Sequence, residues 1–86
     1  MQVTEVRIRK MFDDEKAMKA IASVTFDGCF VVHDIKVIEG KGGMFVAMPS
    51  RQNGEGRFMD IAHPLDQKTR SMIVEAVLTE YKNVCN

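Results

Sequence analysis

The hydropathy pattern of this chain changes period once, and that change most constrains its fold. Up to residue 62, apolar side chains tend to recur at every second position or in short apolar runs. Beyond residue 66 they recur at every third or fourth. From Thr4 to Lys10, Thr4, Val6 and Ile8 alternate with Glu5, Arg7 and Arg9, as in a strand with one buried face. The alternation returns from Met18 to Phe26. Met18, Ala20, Ala22, Val24 and Phe26 share one face, and Lys19, Ser23 and Thr25 the other. Cys29 to Ile38 is largely apolar and β-branched, which predicts a central strand or one buried on both faces. Met44–Met48 reads as a fourth strand, closed by Pro49. Ser50–Gly56 reads as a polar loop, and Arg57–Ala62 as a final short strand.

Turn chemistry separates these runs. Asp13-Asp14-Glu15-Lys16 is polar, and Glu39-Gly40-Lys41-Gly42-Gly43 is rich in glycine. Asp27-Gly28 between apolar runs predicts a two-residue hairpin loop, because Gly accepts the positive φ such loops need. That register would place Val24 opposite Val31, and Ala22 opposite His33.

Pro64 and Asp66 then mark a helix start, Asp66 accepting from free backbone N–H groups. Ile73, Val74, Val77, Leu78 and Tyr81 recur beyond it at helical spacing, with Lys68, Ser71, Glu75, Thr79 and Lys82 on the opposite arc. About 17 helical residues would span about 25 Å, enough to cross a small sheet. The fold class read from this order is α+β: an antiparallel sheet of four to five strands with one C-terminal helix packed on it.

Composition excludes several function classes. Twelve Lys+Arg balance twelve Asp+Glu, so a uniformly basic coat for nucleic acid is absent, although a local basic patch is not excluded. No apolar run approaches the roughly 20 residues of a membrane span, and the N-terminal residues carry no apolar signal segment. Two cysteines, Cys29 and Cys85, are too few for a disulfide framework or a Cys-based zinc site and read as free thiols of a cytoplasmic protein. A chain of 86 residues buries a modest fraction of its surface, and a dimer would add to it.

Motif by motif, structural readings prevail. His33-Asp34 resembles an acid/base or metal pair, but consecutive strand residues point to opposite faces. With Ala22 opposite it, His33 is expected on the core face as a hydrogen-bonded structural histidine. His63-Pro64 has no visible ligand partners. Gly40-Lys41-Gly42-Gly43 and Gly54-Glu55-Gly56 lead from no strand directly into a helix, so they read as turns and not phosphate loops. No convergent catalytic set is visible, and the chain is expected to be no enzyme, with no metal, cofactor or small-molecule substrate.

The cations carry more information. Arg7 and Arg9 alternate onto the polar face of the first strand, and a turn near Asp14 would set Arg9 opposite Lys19. Arg7, Arg9 and Lys19 therefore form a candidate secondary basic face, since opposed like charges favour an anion between them. Arg51 and Arg57 bracket the Gly-containing loop. Lys68 and Arg70 lie in the first helical turn, where cations oppose the helix dipole. Arg70 also falls in the apolar arc. Two explanations stand side by side: a buried partner such as Asp60 or Asp66, or a phosphate held by Arg70, Lys68 and the helix N-terminus.

Several blocks in order resemble the bacterial SpoVG family (stage V sporulation protein G). They are Ala20-Ile21-Ala22-Ser23, Phe30-Val31-Val32-His33-Asp34-Ile35-Lys36-Val37-Ile38, Phe45-Val46-Ala47-Met48-Pro49-Ser50, Asp60-Ile61-Ala62-His63-Pro64, Thr69-Arg70 and Glu75–Tyr81. The resemblance runs from Val3 to about Tyr81 and implies that 1–86 is a single SpoVG-like domain. It further implies a cytoplasmic homodimer that binds DNA, and also RNA, and acts as a regulator linked to sporulation and to negative control of asymmetric septation. Mapped onto this chain, the implied nucleic-acid contacts are Arg51, Lys68 and Arg70, joined here by Arg57 and by Gln52 as a candidate base reader. The chain departs from the family loop at Gln52 and Met59, where basic residues are usual. Zero net charge and few aromatics fit an alternative: a protein–protein adaptor in septation control that recruits partners through an exposed strand edge and binds no nucleic acid.

Overall fold

The computed structural model describes residues 1–12 and 15–85. Seven elements occur in order: β1 (Val3–Met11), β2 (Met18–Phe26), β3 (Phe30–Gly40), β4 (Gly43–Ala47), β5 (Ser50–Gln52), β6 (Phe58–Asp60) and α1 (Gln67–Cys85). The first four make one antiparallel sheet in the order β1-β2-β3-β4, and β5-β6 make a separate two-stranded sheet. The α+β reading holds. The Ser50–Gly56 loop is corrected, since its first three residues pair as β5 with Phe58–Asp60.

The helix α1 lies on one face of the large sheet and touches all four of its strands. Ala20 and Ala22 are fully buried beneath it, and with no side chain beyond Cβ they let the helix approach the sheet. Val24, Phe26, Ile35, Val37, Val46 and Met48 complete the sheet side of the core, and Ile73 and Val77 the helix side. Among the described residues no element packs on the other face of the sheet, so β3 is interior in the sheet but buried on one face only. Its buried residues are Ile35 and Val37.

The β2–β3 turn corrects the expected register by one residue. Asp27 and Gly28 both take positive φ, 52° and 66°, and the Cys29 N–H closes the turn on the Phe26 carbonyl at 3.0 Å. The ladder nonetheless resumes at Phe26–Phe30, so Val24 opposes Val32, not Val31. A second extra residue, Asp34, then bulges at φ 62°, and Ala22 pairs with Ile35. A one-residue slip moves a side chain to the opposite face. His33 is therefore not on the core face. It is exposed on the helix-free face, where its Nδ1 hydrogen-bonds Ser23 Oγ at 2.7 Å.

Two further bulges redirect cations. Arg9 is the unpaired residue between Ile8–Ala22 and Lys10–Ile21, and Phe12 N–H bonds the Lys19 carbonyl. Arg9 thus does not oppose Lys19. On β2, Lys19 is itself the unpaired residue between Met18–Ile38 and Ala20–Val37. It turns to the helix side, 7% exposed, and its Nζ lies 3.5 Å from Glu39 Oε1. The expected Arg7–Arg9–Lys19 face does not form. The Asp13-Asp14 part of the first turn lies outside the described residues.

Candidate nucleic-acid interface

The β5–β6 hairpin projects as a short arm whose tip is built by Asn53. Asn53 Oδ1 accepts from the backbone N–H of Glu55 (2.8 Å) and of Arg57 (3.1 Å). The Asn53 N–H donates to the Arg57 carbonyl at 2.8 Å, and Gly56 turns with φ 84°. Asn is suited to this work because its side-chain carbonyl mimics a backbone acceptor. The sequence reading passed over it, although Asn53-Gly54 is a turn signal in its own right.

On this arm Arg51 opposes Met59 and Gln52 opposes Phe58. Arg51 and Arg57 are exposed and, among the described residues, make no ion pair. Gln52 Nε2 donates to the Gly56 carbonyl at 3.0 Å, so one of its two amide N–H donors is committed to the arm's own structure. The second N–H and Oε1 are left for reading a base edge. Apolar side chains share the arm and its base: Phe58 is 70% exposed and Leu65 93%, with Met59 and Ile61 also open to solvent.

The helix start behaves differently from the arm. Asp66 Oδ1 accepts from the Thr69 backbone N–H at 2.6 Å and caps the helix. That bond holds the Asp66 carboxyl below its ordinary range. The Thr69 side chain and the nearby Lys68 charge act in the same direction. The position a phosphate would take at this helix N-terminus is thus filled by the chain's own carboxylate. Lys68 and Arg70 are two residues apart, which is about 200° around a helix, so they point to nearly opposite sides. Lys68 borders the groove between β1 and α1, whereas half-buried Arg70 sits beside the core arc. Arg70 has no ion pair with Asp60 or Asp66. Neither explanation offered for the Lys68–Arg70 pair is met as stated. What remains is two separate single cations.

The third group lies on the helix-free sheet face. Arg7 opposes Ser23, and its guanidinium pairs with Glu5 at 3.2 Å. Lys10 opposes Ile21, which opposes Lys36, which opposes Ala47, one row across all four strands. The sequence reading missed Lys10 and Lys36, because only the bulges at Arg9 and Asp34 bring them into one row. No cluster of three or more His, Cys, Asp or Glu that could hold a metal occurs among the described residues. Cys29 and Cys85 are exposed free thiols. No described helix is long and apolar enough to cross a membrane.

Comparison with known proteins agrees with the residue blocks above. A family model described as SpoVG matches residues 1–83. A protein of Caldicellulosiruptor bescii named "Putative septation protein SpoVG" is 63% identical over 84 residues, covering 98% of this chain and 94% of the relative. One of Clostridium acetobutylicum with the same name is 60% identical over 86 residues, covering 100% of this chain and 90% of the relative. These relatives are named for septation and not for an enzymatic activity.

Proposed function

The chain belongs to the SpoVG family, and from that membership and the unpaired cations of its arm we propose that it is a nucleic-acid-binding regulator of septation. It works in the cytoplasm as a homodimer, linked to sporulation and to negative control of asymmetric septation. The observation that carries the reading is the β5–β6 arm. A two-stranded ribbon is one of the few elements narrow enough to enter the DNA major groove, about 12 Å wide. This ribbon presents Arg51 and Arg57 with no acidic partner among the described residues. Phosphate contacts by these arginines supply sequence-independent affinity, and Lys68 and Arg70 add to it as separate single cations at the helix start. Arg51 and the uncommitted N–H and Oε1 of Gln52 are the base-edge candidates. An isolated two-stranded sheet with three residues per strand is marginal in water. A second copy packed on Phe58, Met59, Ile61 and Leu65 supports it.

The same apolar side chains favour a second reading, an adaptor that binds a septation protein through them and leaves nucleic acid alone. The test is binding to a labelled random-sequence duplex and its RNA counterpart across a salt series. It compares wild type with an Arg51→Ala/Arg57→Ala variant that stays folded. Loss of two phosphate contacts should make the log–log salt slope on duplex shallower by about 1.8. No binding by wild type at low salt refutes the nucleic-acid reading and leaves the adaptor.

A further inference from the structure

The helix-free face of the sheet is four strands wide, about 15–20 Å at the usual strand spacing. That is too broad to enter a duplex groove, unlike the arm. Its charge is one-sided. Lys10 and Lys16 both hold their ammonium groups over the ring of Phe12, at 5.2 and 5.9 Å from its centroid. Lys36 lies in the same row as Lys10, about 10 Å away across two strand spacings. None of the three has an acidic partner among the described residues. The remaining charged and titratable groups here are Arg7 with its partner Glu5, Asp34 at the bulge, and His33 tied to Ser23.

Between the cations the face is apolar. Ile21 separates Lys10 from Lys36, and Phe45 opposes Ile38. Phe45 is 48% exposed, and its ring lies across Gly40, where an added Cβ would meet Cε1 at 3.1 Å. A glycine at 40 thus lets the ring lie flat along the hairpin with one side turned to water. Cations on β1 and β3 and a flat aromatic on β4, the next strand beyond Lys36, match the two demands of an unpaired strand: phosphates to neutralise and bases to stack.

We propose that this face binds single-stranded nucleic acid, with Lys10, Lys16 and Lys36 on phosphates and Phe45 under a base. The inference rests on the nucleic-acid reading above but assigns it a second surface, distinct from the arm. The cations already crowded over Phe12 explain why an anion is favoured there: it relieves their mutual repulsion while the ring holds them in place.

The experiment measures anisotropy of labelled oligo(U), oligo(dT) and a random duplex with the full chain across a salt series. The variants are Lys10→Gln/Lys36→Gln and, separately, Phe45→Ala, each checked by circular dichroism and thermal melting. On both single strands the lysine variant should show a slope shallower by about 1.4. Phe45→Ala should weaken single-strand binding about tenfold. Duplex binding should be unchanged in both. Wild-type slopes on single strands in the lysine variant overturn the inference, as do losses of equal size on duplex. A wild type that binds duplex and not single strands overturns it too, and leaves the arm reading standing. A wild type that binds none of the probes overturns both.

Discussion

Asp34 sets which face of β3 is buried, and it does so in a conformation that L-residues resist. Its φ of 62° is the left-handed region, at the bulge that lets Ala22 pair with Ile35 and leaves His33 beside Ser23. An L-residue there costs about 1–2 kcal/mol, less for Asp because its short polar side chain bonds locally. A β-branched residue loses that relief and adds crowding at Cβ. Asp34→Val should therefore destabilise the fold by about 2 kcal/mol. For a domain of this size, about 4–8 °C per kcal/mol converts this to a fall in Tm of about 8–16 °C. Asp34→Gly removes the Cβ strain but increases the freedom of the unfolded chain by a similar amount, about 0.5–1 kcal/mol. Its Tm should lie within about 4 °C of wild type. Scanning calorimetry of the three proteins at one concentration decides the matter. A Val variant that melts with wild type refutes the reasoning, because residue 34 would then not be left-handed and the register beyond it would have another cause.

Three further outcomes are expected of the same structure. Ile35 is 1% exposed in the core, so Ile35→Ala should cost about 2–5 kcal/mol by urea unfolding. A loss below 1 kcal/mol would mean the core is elsewhere. The Asp66 carboxyl is depressed, so its stabilisation is complete above the ordinary carboxylate range and is lost as pH falls through its lowered folded value. The Tm gap between wild type and Asp66→Ala should accordingly be constant above about pH 5 and close in stronger acid. A gap that persists to the lowest pH at which both proteins fold would remove the charge from the cap. Phe58→Ser/Leu65→Ser replaces two side chains that touch little within one chain. In sedimentation velocity it should convert a dimer to a monomer, and an unchanged dimer would move the interface off the arm.

The elements were legible because period and turn chemistry are local. Alternation marks β1 and β2, Asp27-Gly28 marks the turn into β3, and Asp66 marks the helix cap. The bulges were not legible. One residue inserted at Arg9, Lys19 or Asp34 changes neither composition nor the strand's apolar character, yet it flips the succeeding side chains to the other face. The bulge at Lys19 is why that side chain lies on the face opposite to the expected one, whereas His33 is displaced by the third turn residue, Cys29, which shifts the register before Asp34 is reached. β5 escaped for a different reason: Ser50-Arg51-Gln52 has no apolar residue, and its pairing comes from the Asn53 turn and not from burial. For Lys68 and Arg70 the information was present. Two residues at that spacing on a helix cannot converge, and helical angle alone separates them.

Zero net charge, taken by itself, favours the adaptor, but the layering of the fold removes part of that weight. Screening at physiological ionic strength has a length of about 8 Å. Glu75 and Glu80 line the groove where α1 meets β1, on the helix side of the sheet. Lys10 and Lys36 are on the opposite side of the sheet from these carboxylates, which are therefore separated from them by the thickness of the sheet. Glu39 is held by Lys19 on the helix side, and Asp66 is spent on the helix cap. Four of the twelve acids are thus on the helix layer or committed to the chain's own backbone, and a fifth, Glu5, is paired with Arg7. The unpaired lysines face the other way, and Arg51 and Arg57 stand out on the arm. What an approaching phosphate meets is the local arrangement and not the total. In a chain with two layers, neutrality constrains solubility more than it constrains which ligand one face can take.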